Sequence, residues 1–257
     1  MMMRLFVASI AGALLFSVGS AAECVELKVL SANGVQTVIE DLAPKFERAT
    51  GHKLVTTFAT GGAAVKRVQD GELVDVVIAP DRGIADLAKA GRVGTDTVTP
   101  FASTGISVAV RIGAPKPDIS LPEALRRALL DAKSITYLNP ADGGASGIHF
   151  AKVLDRLGIA NVMKLKTVFA AKTGAVGEFV ASGAAELGVI QYPLLFSVPG
   201  IEIVGPLPGD LQNTIVFSGA ILVGATNIPA SRMLVNFLRS PEAAAVLRAK
   251  GMEPGPP

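Results

Sequence analysis

Residues 26–79 read ELKVLSANGVQTVIEDLAPKFERATGHKLVTTFATGGAAVKRVQDGELVDVVIA, and the alternation within them decides the fold class. Glu26 to Leu30 has the character of a strand. From about Val35 to Ala49 the apolar residues Val38, Ile39, Leu42 and Phe46 recur at helical spacing, which gives a helix one apolar face. Gly51 ends that helix, and Lys53 to Phe58 returns as a strand favoured by Val55 and Thr56. A second helix spans about Ala63 to Gln69 and stops at Gly71. Val74 to Ala79 is an apolar run holding one carboxylate, which suits a strand covered on both faces. A third helix, about Arg82 to Ala90, closes at Gly91. The β-α-β-α-β-α order predicts an α/β fold, a mostly parallel sheet flanked by helices.

The rest of the chain repeats the alternation. Strands are expected at Ile106 to Arg111, Ile135 to Leu138, Leu165 to Ala170 and Leu187 to Ile190, and near Ile201 to Val204 and Ile215 to Val223. Ser120 and Glu123 have the spacing of a capping box opening a helix through Leu130. Further helices are expected at about Gly147 to Leu157 and Val176 to Ala181. Two more end the chain, about Pro229 to Leu238 and Pro241 to Lys250, with Ser240 as cap and Pro241 in the first turn. So many βα units can build one wide sheet or two smaller ones, and composition alone does not fix the domain count.

Residues 1–22 read as a cleavable signal peptide, with Arg4, an apolar run from Leu5 to Val18, and the small residues Ser20, Ala21 and Ala22 before the cut. This predicts export to the periplasm. Glu23 stands where a lipid-anchor signal needs a small residue, so Cys24 is read as an ordinary residue. As the chain's 1 cysteine it forms no internal disulfide. Of 257 residues, 50% are hydrophobic and 18% charged, enough for a substantial core. Removing Arg4 takes the formal charge from +2 to +1, too balanced for a nucleic-acid binder that neutralises phosphates. With 0 Trp and 2 Tyr there is no stacking platform either.

Chemistry is expected where strands pass into helices, because helix N-termini point backbone donors at whatever lies beyond the strand ends. Four such joints are rich in small polar residues: Ser31 to Gly34, Thr60 to Gly62, Asp142 to Ser146 and Lys172 to Ala175. Glycine lets a backbone approach closely, and Ser and Thr add hydroxyl donors. Each joint also has a plain reading. Ser31 and Thr60 serve as helix caps, Gly143-Gly144 as a tight turn, and Asp142 as the cap of its loop. Asp75 and Asp81 flank a strand end and would repel an anion, so both are read as structural, Asp81 as a helix cap.

Ser31 after its strand, Phe46 to Gly51, Thr60-Gly61-Gly62, Val74 to Ile78 and the closing Phe237 to Ala244 together resemble the periplasmic molybdate-binding protein family. The resemblance runs in order through nearly the whole mature chain. It implies a two-lobed periplasmic-binding-protein fold of type II, with lobe I at 23–103 plus 214–257, lobe II at 104–213, and a ligand cleft between them. It further implies a monomer that captures a small anionic ligand and hands it to the permease of an ABC importer. By motif position the ligand-binding residues fall on Ser31, Thr60 or Gly61, Ala145 or Ser146, Gly174 or Ala175, and Tyr192. The departures are Asn33-Gly34 in the first loop, Thr60-Gly61-Gly62 in the second, a longer glycine-rich third loop, and Lys172 by the fourth. They open the ligand to a small carboxylate beside a molybdate-like oxyanion.

The same branch includes enzymes similar to aconitate isomerase, which move a proton between carbons of an unsaturated tricarboxylate. Such an activity needs a base, an acid and carboxylate clamps, and Lys172, His149, Asp142 and Tyr192 are the candidates. His149 stands inside an expected helix, where packing is its ordinary role. Lys172, protonated at neutral pH, suits pairing with a carboxylate better than proton abstraction. No cofactor is expected. With 2 His and 1 Cys there is no clustered metal site, and no phosphate-binding loop or nucleophile elbow occurs.

Overall fold

The β-α-β-α-β start forms as the apolar pattern requires. β1 (Glu26–Ala32) pairs in parallel with β2 (Lys53–Ala59) and with β3 (Val76–Pro80), and α1 (Gln36–Thr50) and α2 (Gly61–Gln69) are the connections. α1 buries Val38, Ile39, Leu42 and Phe46, and Gly51 in the left-handed region at φ 75° closes it. The structure is a computed structural model and describes residues 24–170, 174–196 and 198–255. The expected signal peptide at 1–22 and Lys172 lie outside the described residues.

After α3 (Asp81–Lys89), β4 (Thr99–Thr104) completes the outward run, and only Gly105 separates it from β5 (Ile106–Arg111). The chain then builds α4 (Pro122–Asp131), β6 (Ile135–Leu138), α5 (Ala145–Arg156), α6 (Ala160–Lys164) and β7 (Thr167–Ala170). It continues through α7 (Ala175–Ser182), β8 (Leu187–Gln191), α8 (Tyr192–Phe196) and β9 (Ile201–Pro206). β10 (Ile215–Ile221), α9 (Ile228–Phe237), α10 (Pro241–Ala249) and β11 (Glu253–Pro254) end it.

Two sheets result. One has the strand order β11-β4-β10-β3-β1-β2, the other β7-β6-β8-β5-β9. Both are mixed, not mostly parallel. β10 runs antiparallel to β3 and β4, and β5 runs antiparallel to β8 and β9. The reason is connectivity: β4 carries the chain out of the first sheet and β10 brings it back, so neighbours with those roles run in opposite directions. Gln212 ties the two crossings together, accepting from Ile106 N–H and donating to Ile106 C=O, both at 2.9 Å.

Two expected caps do not form. Ser120 lies upstream of the α4 cap position, held by Leu121, and its N–H donates to Asp118 Oδ1 at 2.9 Å. Pro122 fills the first turn, where a missing N–H costs nothing. Asp81 is the first residue of α3 and Pro80 holds its cap position; the Asp81 carboxylate accepts instead from the Ser218 hydroxyl at 2.7 Å. Ser240 caps α10 as expected, accepting from Ala243 N–H at 3.1 Å.

Asp75 is structural, as read. It is 2% exposed, and its carboxylate accepts from Lys28 N–H and from the N–H and hydroxyl of Thr226, each at 2.8 Å. Burial alone would raise its pKa, but these bonds and the Asn227 N–H hold it below the usual carboxylate range. A depressed folded pKa adds stability above the unfolded value near ~4, and that stability is lost as pH falls through the folded value. Asp75→Asn turns an NH2 toward one of these donors and is expected to cost ~1–3 kcal/mol at pH 7. Denaturant midpoints at pH 7 and pH 3 check this: the gap between wild type and variant should narrow in acid.

Candidate functional site

The first turn of α2 meets the loop leading into α5 across the gap between the sheets. Thr60 caps α2 by accepting from Ala63 N–H at 3.2 Å, and its hydroxyl donates to the Asp142 carbonyl at 2.5 Å. Gly62 N–H donates to the Gly143 carbonyl at 3.0 Å. The two glycines touch so closely that a Cβ on Gly62 would stand 2.8 Å from Gly143 Cα.

Beside this contact lies an inner cavity of about 20 Å³. Ala32, Asn33, Gly34, Thr60 and Gly61 wall it on one side, and Leu138, Gly144, Ala145 and Gln191 on the other. That space is room for about one water, so a tetrahedral oxyanion would have to part the loops slightly. The wall suits an anion. α5 has Gly144 at its cap with no side-chain cap bond, so its first N–H groups have no acceptor within the helix and present the positive end of its dipole.

Gln191 is the cavity's buried polar side chain, 4% exposed. Its Oε1 accepts from the Ser146 hydroxyl at 2.8 Å. That bond fixes the amide, and Nε2 turns toward Gly34, 3.5 Å from where a Cβ on that glycine would sit. Ser146 spends its only proton on Gln191, so it orients the donor and is not itself one.

The candidate residues separate accordingly. Thr60, Gly61 and Ala145 stand on the inner wall, and Ser146 stands behind Gln191. Ser31 is not a helix cap: it is fully buried in β1, its hydroxyl donating to the Ala32 carbonyl at 3.3 Å, and Ala32 takes the wall position. Gly174 and Ala175 open α7 and are not among the described residues lining the inner cavity, although Ala175 packs in a cluster with Leu138, which does line it, and with Ile190. Tyr192 stacks on Phe196 with centroids 5.6 Å apart and lies against Gly251. Its neighbour Gln191, the last residue of β8, faces the cavity in its place. A polar side chain ending the run Leu187-Gly188-Val189-Ile190 was the one available sign of this. Asp142 is exposed and contributes its backbone carbonyl; the loop is capped by Asn139, whose Oδ1 accepts from Ala141 N–H at 3.1 Å.

A second, outer cavity of about 750 Å³ adjoins the first and shares Gly61 and Ala145 with it. Val65, Ile148, Ile215 and Val216 give it apolar wall, Asp81, Arg82, Asp86 and Lys152 give it charge, and His149 lines it as well. His149 Nε2 lies 2.8 Å from the Leu211 carbonyl. A carbonyl only accepts, so Nε2 carries a proton, and whenever the ring is neutral its lone pair is on Nδ1. Among the described residues, no group of His, Cys, Asp and Glu is arranged to hold a metal ion.

Residues 27–253 match the family described as bacterial extracellular solute-binding protein. The chain is 35% identical over 238 residues to aconitate isomerase of Pseudomonas sp, covering 90% of this chain and 88% of that one. It is 30% identical over 252 residues to the molybdate-binding protein ModA of Azotobacter vinelandii, covering 96% of each. Among solved structures, the sulfate-binding protein SubI of Mycobacterium tuberculosis superposes with a TM-score of 0.73 at 18% identity, covering 91% of this chain and 88% of that one.

Proposed function

The chain belongs to the family of bacterial extracellular solute-binding proteins, and from that premise we propose that it captures a small anion in the periplasm for delivery to an ABC importer. Its two mixed sheets flanked by helices are the two-lobed, type II periplasmic-binding-protein architecture. We place lobe I at 23–103 plus 214–257 and lobe II at 104–213, a division supported by the two sheets. One observation carries the functional reading: the first turns of α2 and α5, from opposite sheets, converge with Gln191 Nε2 on one buried cavity. Backbone N–H groups around Gly61 and Ala145 and the Gln191 amide would donate to the anion. Because contacts from both sides are complete only when the lobes approach, the ligand favours the closed arrangement.

A proton-transfer isomerase is the second reading, supported by the relative in Pseudomonas and by His149. Its Nδ1 would take a proton from a methylene carbon of an unsaturated tricarboxylate. The double bond would shift by one position, and the imidazolium would return the proton to the far carbon of the allylic unit.

One experiment separates the two. The purified protein is titrated with molybdate, sulfate, citrate and both aconitate isomers, following melting temperature and binding heat. Saturable binding of one anion without turnover supports capture; conversion of aconitate at catalytic protein concentrations selects the isomerase. Gln191→Leu should weaken the tightest-bound anion by about 10-fold or more, the loss of one buried hydrogen bond to a charged group. Unchanged affinity would remove Gln191 from the site.

A further inference from the structure

We infer that the outer cavity is a second ligand subsite, holding the carbon skeleton and distal carboxylates of an organic polycarboxylate whose first carboxylate enters the inner cavity. This rests on the reading of the inner cavity as an anion site. Size is the first argument. The inner cavity measures about 20 Å³ and the outer about 750 Å³, and they meet at Gly61 and Ala145. A ligand whose head sits at the helix termini therefore has its remaining volume next door, within the usual range for small-molecule sites.

Wall chemistry is the second. Val65, Ile148 and Val216 line the outer cavity. Apolar wall gains free energy by covering carbon; an inorganic oxyanion offers none. Charge is the third. Arg82 stands on α3 against the first sheet, Lys152 on α5 against the second, and both line the cavity. Among the described residues neither forms a salt bridge. Of the acidic groups on the same wall, Asp86 pairs with Lys89 at 3.9 Å, while Asp81 accepts from the neutral Ser218 hydroxyl at 2.7 Å and keeps its charge. Among the described residues no carboxylate pairs with Arg82 or Lys152, and these two cations stand on opposite lobes, so a ligand paired with both adds to the preference for closure.

The test is calorimetric titration of the full chain with acetate, succinate, tricarballylate and citrate, and with sulfate and molybdate. Affinity should rise with the number of carboxylates, by about 10-fold from acetate to the tricarboxylates, the scale of a partly exposed ion pair. In the double variant Arg82→Ala, Lys152→Ala that preference should collapse, while Arg82→Lys, Lys152→Arg should retain it. Melting of the unliganded variants shows that both fold. Preference for sulfate or molybdate over every tricarboxylate would overturn the subsite and leave the anion cleft standing. Undiminished tricarboxylate preference in the double alanine variant would do the same. Binding of no anion at all would remove the cleft and the subsite together.

Discussion

Gly62→Ala is expected to lower ligand affinity by about 100-fold while leaving the free protein as stable as before, or slightly more so. Gly62 lies in the first turn of α2, where Ala is the better helix former by up to ~1 kcal/mol. Within its own lobe the new methyl harms nothing that the geometry shows. Across the cleft it meets backbone: Gly143 Cα at 2.8 Å and the Gly143 carbonyl oxygen at 2.9 Å. Backbone cannot swing aside as a flexible side chain can, so the closed arrangement is penalised by roughly 3 kcal/mol. A ligand that needs closure must supply that difference, and ~2.7 kcal/mol is a 100-fold loss. Titration and melting of the unliganded variant check the two halves separately. A parallel fall in melting temperature would mean damage to the fold, and unchanged affinity would mean that closure does not require this contact.

The second large effect falls on stability. Gly147→Ala should destabilise the protein by about 2–4 kcal/mol, lowering Tm by roughly 5–12 °C. A Cβ on Gly147 would stand 2.1 Å from the Leu138 carbonyl oxygen and 2.9 Å from its carbonyl carbon. Leu138 ends β6, so relief means moving the start of α5 off the strand it covers. That movement strains the packing of Phe150, Val153 and Leu154, all buried, and the edge contact of Phe150 with Tyr137 at 5.1 Å. The helix-propensity gain of ~1 kcal/mol from Gly to Ala is too small to offset this. Urea unfolding should show a lower midpoint with an unchanged slope; an unchanged midpoint would mean that α5 shifts without cost.

The elements legible in the sequence are those whose cause is local. The spacing of Val38, Ile39, Leu42 and Phe46 writes the buried face of α1, and Ser240-Pro241 writes the start of α10. β4 was not legible, because Thr99 to Thr104 has no alternation and contains Pro100. It is a strand because β10 and β11 pair with it from far along the chain. The capping box at Ser120 had the right spacing and the wrong partner, since Asp118 two residues upstream takes the Ser120 N–H.

The candidate site divides the same way. That chemistry is expected at strand-to-helix joints followed from residue types, and Thr60, Gly61 and Ala145 line one cavity. That Gln191 and not Tyr192 lines the inner cavity turned on a single position, because successive side chains of a strand point to opposite faces and a helix starts immediately after it. What the sequence determined by itself was the βα alternation, the helix faces and the glycine-rich joints, all set by interactions within a few residues. What only the tertiary structure decided was the meeting of Thr60 with Asp142, 82 positions apart, the pairing of Ser146 with Gln191, and the cavity they surround. Those contacts exist because the two crossings bring the strand-to-helix joints of one sheet against those of the other, and no local preference of either partner encodes the approach.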